Sequence, residues 1–163
     1  MEHLWSPWRM EYLQANKNVV EDRCVFCALL DEGDPDGERI LRRDALAFAA
    51  LAKYPYAPGH VLVLPTRHVA DLEDVTDDEQ SAISALIRRS VHVLRDTAEP
   101  HGFNVGLNLG RVAGAGIPGH LHWHVVPRWS GDTNFMPVIG DTRVLPELLD
   151  ETYAKLRPCF EET

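Results

Sequence analysis

Three shortages narrow what this chain can be. It holds only three cysteines in 163 residues. An odd number, with Cys24 and Cys27 as a close pair, argues against a disulfide framework and for a reducing compartment, so a cytoplasmic protein is expected. Long apolar runs are missing, and stretches such as 45–52 and 61–64 are far too short to span a bilayer. The first residues are acidic and aromatic where a secretory leader would be basic and then apolar, so no leader is expected. Positive charge is scarce as well. Lys and Arg number 16 against 25 Asp and Glu, and the net charge of −9 argues against binding a nucleic-acid polymer. A small anionic ligand remains allowed, held locally by backbone amides, imidazoles and a few arginines.

The rest of the composition is ordinary for a soluble protein, with 45% apolar and 25% charged residues. One domain over 1–163 is expected, with an aromatic N-terminal arm over 1–20 and a C-terminal extension over 130–163. Trp5, Trp8 and Tyr12 favour an arm packed on the domain; the sharper alternative is that Trp5, Trp8 and Arg9 line a ligand pocket or a subunit interface. There is no internal repeat or low-complexity tract.

The clearest helix starts after Thr76. Thr76-Asp77-Asp78-Glu79 reads as a capping box, and Ile83, Leu86, Ile87, Val91 and Leu94 recur at helical spacing up to Glu99-Pro100. Strands are expected over 40–43, 45–52, 60–65 and 103–108, and a last helix over about 146–156 with Leu148, Leu149, Thr152 and Leu156 on one side. Strands around one long helix predict an α+β fold with a largely antiparallel sheet.

The most informative stretch is 119–129. His120, His122 and His124 alternate with Leu121, Trp123 and Val125. A strand has a side-chain period of two, so it would place the three imidazoles on one face, neighbours about 7 Å apart, and the apolar residues on the other. Three imidazoles buried without partners would be costly, so that face calls for polar partners, a metal or an anion. The preceding loop, with Gly110, Gly114, Gly116 and Gly119, permits close backbone approach to a ligand, and Asn108 and Arg111 stand at its entrance. A histidine beside such a loop suits nucleophilic attack on a phosphate. The bland alternatives are a plain glycine-rich hairpin loop, three metal-ligating histidines, or core histidines satisfied by carbonyls.

Cys24 and Cys27 have the spacing at which two thiolates share a tetrahedral ion, and His68 and His120 are the histidines placed to complete a Cys2His2 zinc site. Two buried reduced cysteines or a redox pair is the alternative. Cys159 stands alone.

The run His120-Leu121-His122-Trp123-His124-Val125-Val126 resembles the signature of the histidine-triad family of nucleotide hydrolases and transferases. The Cys24/Cys27 pair, Pro58-Gly59-His60-Val61-Leu62-Val63-Leu64-Pro65 and the helix from Thr76 follow in the family's order. Trp5-Ser6-Pro7-Trp8-Arg9-Met10-Glu11-Tyr12, Gly102-Phe103-Asn104-Val105-Gly106 and Val126-Pro127-Arg128-Trp129 are similar to the branch that contains bacterial diadenosine tetraphosphate phosphorylases. The resemblance implies a five-stranded, mainly antiparallel sheet, with a long and a C-terminal helix, joined across a homodimer. It implies a nucleotidyl hydrolase or transferase acting on an adenine nucleotide or dinucleoside polyphosphate, with phosphate or water as acceptor. His122 would be the nucleophile, oriented by the backbone carbonyl of His120. His124 would contact the phosphates or leaving group, with His60 supporting. Asn108, Gly114, Ala115, Gly116 and Ile117 would hold phosphate oxygens, and the strand over 45–51 would lie near adenine and ribose. Cys24, Cys27, His68 and His120 would bind structural zinc. Ile117 stands where relatives place a hydroxyl, and Ala52 and Ala57 stand where the phosphorylase branch places asparagines. An adenosine phosphoramidate hydrolase and a non-catalytic nucleotide-binding module are the competing readings.

Overall fold

The computed structural model describes residues 23–31, 39–132 and 147–161. The aromatic arm over 1–20, the acidic stretch 32–37 and most of 130–146 lie outside the described residues. Five antiparallel strands form one sheet: β1 (Ile40–Arg43), β2 (Ala47–Leu51), β3 (Val61–Pro65), β4 (Gly102–Leu107) and β5 (Trp123–Arg128), in the order β1-β2-β3-β5-β4. Among the described residues, α1 (Val25–Asp31) covers one face, while α2 (Asp77–Ala98) and α3 (Leu149–Glu161) cover the other.

Strand parity sorts the core into two layers. Ala47, Ala49, Leu51, Val61, Val63, Trp123 and Val125 pack against Ile83, Leu86, Val93 and Leu94 of α2 and Leu156 and Phe160 of α3. Phe48, Ala50, Leu62 and Leu64 face the other way, onto Phe26, Leu29 and Leu30 of α1. Every residue of β2 and β3 is buried. Alanine therefore serves in β2 despite its poor strand propensity, because both faces are covered and small side chains let the layers approach.

The capping box at the start of α2 is present, with the Thr76 side chain accepting from the Glu79 amide and the Glu79 carboxylate accepting from the Thr76 amide. Such a cap contributes about 1 kcal/mol. The helix ends at Glu99, whose left-handed φ of 45° turns the chain before Pro100. At the turn into β3, Gly59 has φ +72°, and a Cβ there would meet Leu94 Cδ2 at 2.8 Å. Glycine is needed here on both counts, and it fixes where His60 enters the sheet.

Four expectations need correction. The histidine strand begins at Trp123, not at His120 straight after the loop. The Leu121 amide donates to Val69 O and the Pro65 carbonyl accepts from an imidazole, so the lead-in is anchored outside the β3 ladder. Residues 45 and 46 precede β2, and Leu46 is exposed. The last helix runs on to Glu161, past Pro158. Proline removes one helical bond, but Leu156 and Phe160 are fully buried, and Arg42 and Arg89 donate to the carbonyls of Phe160 and Cys159 at 2.8 and 2.6 Å. Leu148 precedes that helix and is exposed rather than on its apolar face. No helix among the described residues is long and apolar enough to cross a membrane.

Candidate active site

The alternation of the histidines survives the late strand start. Leu121, Trp123 and Val125 enter the helix-side core, while His120 and His122 turn to the α1 side. There the Phe26 ring lies 5.5 Å from His120 and 5.4 Å from His122. α1 does this because Phe26, Leu29 and Leu30 recur at helical spacing behind Cys24 and Cys27. That seven-residue helix is a feature the sequence reading missed, and its only signal was this short spacing.

Backbone groups dictate the tautomers. His122 Nδ1 lies 2.9 Å from His120 O, and a carbonyl accepts, so the His122 proton is on Nδ1 and the Nε2 lone pair is open. His120 Nε2 lies 3.0 Å from Pro65 O and donates there, which leaves its Nδ1 lone pair facing the thiols. On β5, His124 pairs with Leu62 of β3, so His60, two residues earlier on the same face, is its diagonal neighbour. The nitrogens meet, His60 Nε2 to His124 Nδ1, at 2.9 Å. On its other side His124 pairs with Gly106 of the edge strand β4, where a Cβ would meet nothing within 4 Å. The space beside His124 is therefore open along the sheet.

Burial keeps the His120, His122 and His124 rings neutral. It pushes the His122 imidazole below its ordinary value, against the opposing bond to His120 O. Burial, then the neighbouring His122, takes His124 down to about 4. His120 is lowered by burial too. A neutral His122 with its lone pair on Nε2 is the nucleophilic form.

The loop over 110–119 joins β4 to β5. Gly110 and Gly114 have φ of +75° and +98°, so the short 3-10 turn Arg111–Ala113 between them needs glycine at both ends. The amides of Gly114 and Ala115 close the loop on Arg111 O and Gly110 O at 3.0 and 3.2 Å. Among the described residues no acceptor takes the amides of Gly116, Ile117 or Gly119, so these are the donors available to an anion. Ile117 packs its side chain on the α1-side core. Asn108 is half-buried at the loop entrance and Arg111 is exposed.

At the other end of the cluster, Cys24, Cys27, His68 and His120 bring their ligand atoms within 4.8 Å of one another. Cys24 Sγ is 3.4 Å and Cys27 Sγ 3.7 Å from His120 Nδ1, and Cys27 Sγ is 3.4 Å from His68 Nδ1. Bonds of about 2.0–2.3 Å to zinc give a tetrahedron with edges of about 3.3–3.8 Å, so two thiols and two imidazoles at these separations fit the ion. Burial and the adjacent Cys24 push the Cys27 thiol up to about 11, so an incoming ion must displace its proton. Cys159 lies elsewhere, on α3, with its thiol 3.7 Å from Lys155 O.

The HIT domain profile matches residues 36–131. An AP-4-A phosphorylase of Mycobacterium tuberculosis is 43% identical over 159 residues, covering 93% of this chain and 80% of the relative. A Zn-bound histidine triad family protein from Mycobacterium smegmatis superposes with a TM-score of 0.67 at 27% identity, covering 85% of this chain and 94% of that one. A hypothetical histidine triad nucleotide-binding protein from Sulfolobus tokodaii gives 0.67 at 26% identity, with 85% and 90% covered.

Proposed function

The chain belongs to the HIT domain family, and on that premise we propose that it is an enzyme that cleaves a dinucleoside polyphosphate such as diadenosine tetraphosphate. The reaction runs through a nucleotidyl intermediate on His122. The observation that carries this reading is the 2.9 Å bond from His122 Nδ1 to His120 O, which leaves an unprotonated Nε2 in a buried, neutral ring. The Nε2 lone pair attacks the α-phosphorus, the bond to the bridging oxygen breaks, and the remaining nucleotide departs with that electron pair. His124 faces the departing phosphates. Free amides at Gly116, Ile117 and Gly119, with Asn108, hold the phosphoryl oxygens in the manner of an oxyanion site. Leu62, which pairs with His124 across β3 and β5, is the apolar residue beside the cluster on the side proposed for base and ribose.

Phosphate or water then displaces Nε2. Phosphate is the preferred acceptor, in line with the name of the Mycobacterium tuberculosis relative, an AP-4-A phosphorylase. Cys24, Cys27, His68 and His120 would hold zinc. The ion would supply no chemistry to the substrate; it would tie α1 to the lead-in of β5. The working unit is a homodimer, supported by β4, an edge strand whose residues Asn104, Val105 and Gly106 are exposed.

The test is incubation with diadenosine tetraphosphate, with and without inorganic phosphate. ADP plus ATP is the expected product pair with phosphate. AMP plus ATP would make water the acceptor. No turnover of this or any other adenylyl substrate, with zinc present, would overturn the proposal.

A further inference from the structure

Tyr56 lies in the turn before β3 and looks from sequence like a turn residue only. It touches the histidine cluster twice. Its backbone N–H donates to His60 Nδ1 at 3.1 Å. Its ring lies over His60 at 4.7 Å between centroids and 27° between planes, and over His124 at 5.6 Å and 20°. We propose that Tyr56 is a positioning residue for the departing nucleotide, its amide and ring together holding the His60–His124 pair so that His124 points an N–H at the leaving phosphate. This rests on the reading of the preceding subsection.

The inference follows from proton counting. A neutral imidazole carries one N–H. The Tyr56 amide occupies the His60 Nδ1 lone pair, so the His60 proton is on Nε2. That N–H points at His124 Nδ1, 2.9 Å away, which must accept. The His124 proton is therefore on Nε2. This atom is buried and has no hydrogen-bond partner among the described residues. A buried donor left unpaired costs free energy, and a site that keeps one is built to receive an acceptor. One backbone amide thus sets a proton two rings away.

The Tyr56 ring supplies what the hydrogen bonds lack. Two imidazoles joined by a single bond can still swing about it. The phenol ring lies nearly parallel to both and confines them from one side. Tyr56 is 47% exposed, so little of the fold's stability depends on it. A plain surface tyrosine would not need to align with two catalytic-site rings at once.

In the step itself, the His122 Nε2 lone pair forms the bond to the α-phosphorus as the bond to the leaving oxygen breaks. The electron pair goes to that oxygen. The His124 Nε2–H hydrogen-bonds to it and keeps its proton, so His60 and His124 end the step in the tautomers in which they began. The benefit of that bond scales with the charge localised on the leaving oxygen.

The experiment uses the full chain loaded with zinc, as wild type, Tyr56→Ala and Tyr56→Phe. Each is assayed with diadenosine tetraphosphate and with the 2,4-dinitrophenyl ester of AMP, whose leaving anion is delocalised over its ring. Removing one oxyanion donor outright costs about 100- to 1000-fold, and loosening it should cost less. For Tyr56→Ala the expected result is a kcat lower by on the order of tenfold on the dinucleotide. KM should be little changed, as should kcat on the dinitrophenyl ester. Tyr56→Phe should restore the kcat on the dinucleotide, since it keeps the ring that Tyr56→Ala removes. The ring 15N resonances of His124 should report a proton on Nε2 in all three proteins, since each keeps the backbone amide, with line broadening from ring motion only in Tyr56→Ala. Equal losses on both substrates, no loss on either, or a His124 proton on Nδ1 in wild type would overturn the proposal. If wild type turns over neither substrate, the parent reading has failed, and the 15N spectra still decide the Tyr56 geometry.

Discussion

At the Cys24 end of the histidine cluster, four ligand atoms from three segments lean together, and three of the four residues keep some solvent exposure, His68 the most. At the His124 end, His60 and His122 are buried; His122 and His124 each have one nitrogen fixed, by a carbonyl and by another ring, and His60 has both fixed, by the Tyr56 amide and by His124. Both ends use the same device, a histidine whose second nitrogen is spoken for. They differ in what is left over. The first end presents lone pairs and thiols that face one another and need an ion to settle them. The second holds its lone pair on His122 and its N–H on His124 ready without any ligand. One end is therefore finished by what binds it and the other is preorganised. His120 belongs to both, since its ring faces the thiols and its carbonyl holds His122.

The largest effect should come from the preorganised end. His122→Asn removes the proposed nucleophile but keeps an amide that can donate to His120 O. Turnover should fall by at least about 10^4-fold, in line with loss of a catalytic nucleophile elsewhere. Intact mass should show no adenylylated protein, while Tm and AMP binding by calorimetry stay near wild type. Wild-type turnover would move the nucleophile to another residue. The opposite pattern should hold at the metal end. Cys24→Ser with Cys27→Ser, or stripping by a chelator, should cost about 3 kcal/mol or more of stability. For a chain of this size that is ~6–12 °C in Tm. Activity at low temperature should fall far less than with His122→Asn. If stripping abolished turnover with Tm unchanged, the division between the ends would be wrong.

Acid separates the ends in a third way. Unfolded, a histidine protonates near its ordinary value; in the fold His124 does so only at about 4. Between these the unfolded chain binds more protons, so stability rises with pH. The contribution of His124 is complete above the ordinary histidine range and is lost as pH falls toward about 4. The acid limb of kcat should accordingly lie below the ordinary histidine range. Acid also competes with zinc for its ligands, so the profile should be taken with excess zinc, which restores the metal end and leaves the His124 limb in place. A limb at the ordinary histidine value would mean a solvated, not a buried, donor.

Much of this division was legible in the chain itself. Strict alternation over 120–125 put the imidazoles on one side and Leu121, Trp123 and Val125 in the core, and Cys24, Cys27, His68 and His120 do converge. Thr76 and Glu79 announced α2, since a capping box is a local device. The parts that could not be read depend on long-range contacts. β5 starts late because Leu121 bonds Val69 and His120 bonds Pro65, and neither partner is visible along a single strand. α3 runs past Pro158 because Arg42 and Arg89, far away in sequence, take its last carbonyls. The Tyr56 stack depends on where the Gly59 turn aims one ring, and no periodicity encodes that.

The smallest effect concerns what holds His68 in reach of the thiols. His68 follows Arg67, whose guanidinium donates to both Glu79 carboxylate oxygens, at 2.9 and 2.8 Å, and to Asp74 O at 2.8 Å. The Arg67 guanidinium, with help from the Thr76 amide, takes the Glu79 carboxyl down to about 2. Its stabilising contribution is thus present above the ordinary glutamate range and is lost as pH falls toward about 2. Arg67 is half exposed, so the pair itself adds little in salt. Its geometric effect is larger, because it pins to α2 the residue next to a ligand. Glu79→Gln keeps the cap's shape and removes the charge. Tm should fall by a few degrees, and zinc affinity, read by competition with a chromogenic chelator, should weaken modestly, while kcat of the zinc-loaded enzyme stays at the wild-type value. A loss of kcat without a loss of zinc affinity would mean that Glu79 acts on the preorganised end. The two ends would then be coupled through α2 and not only through His120.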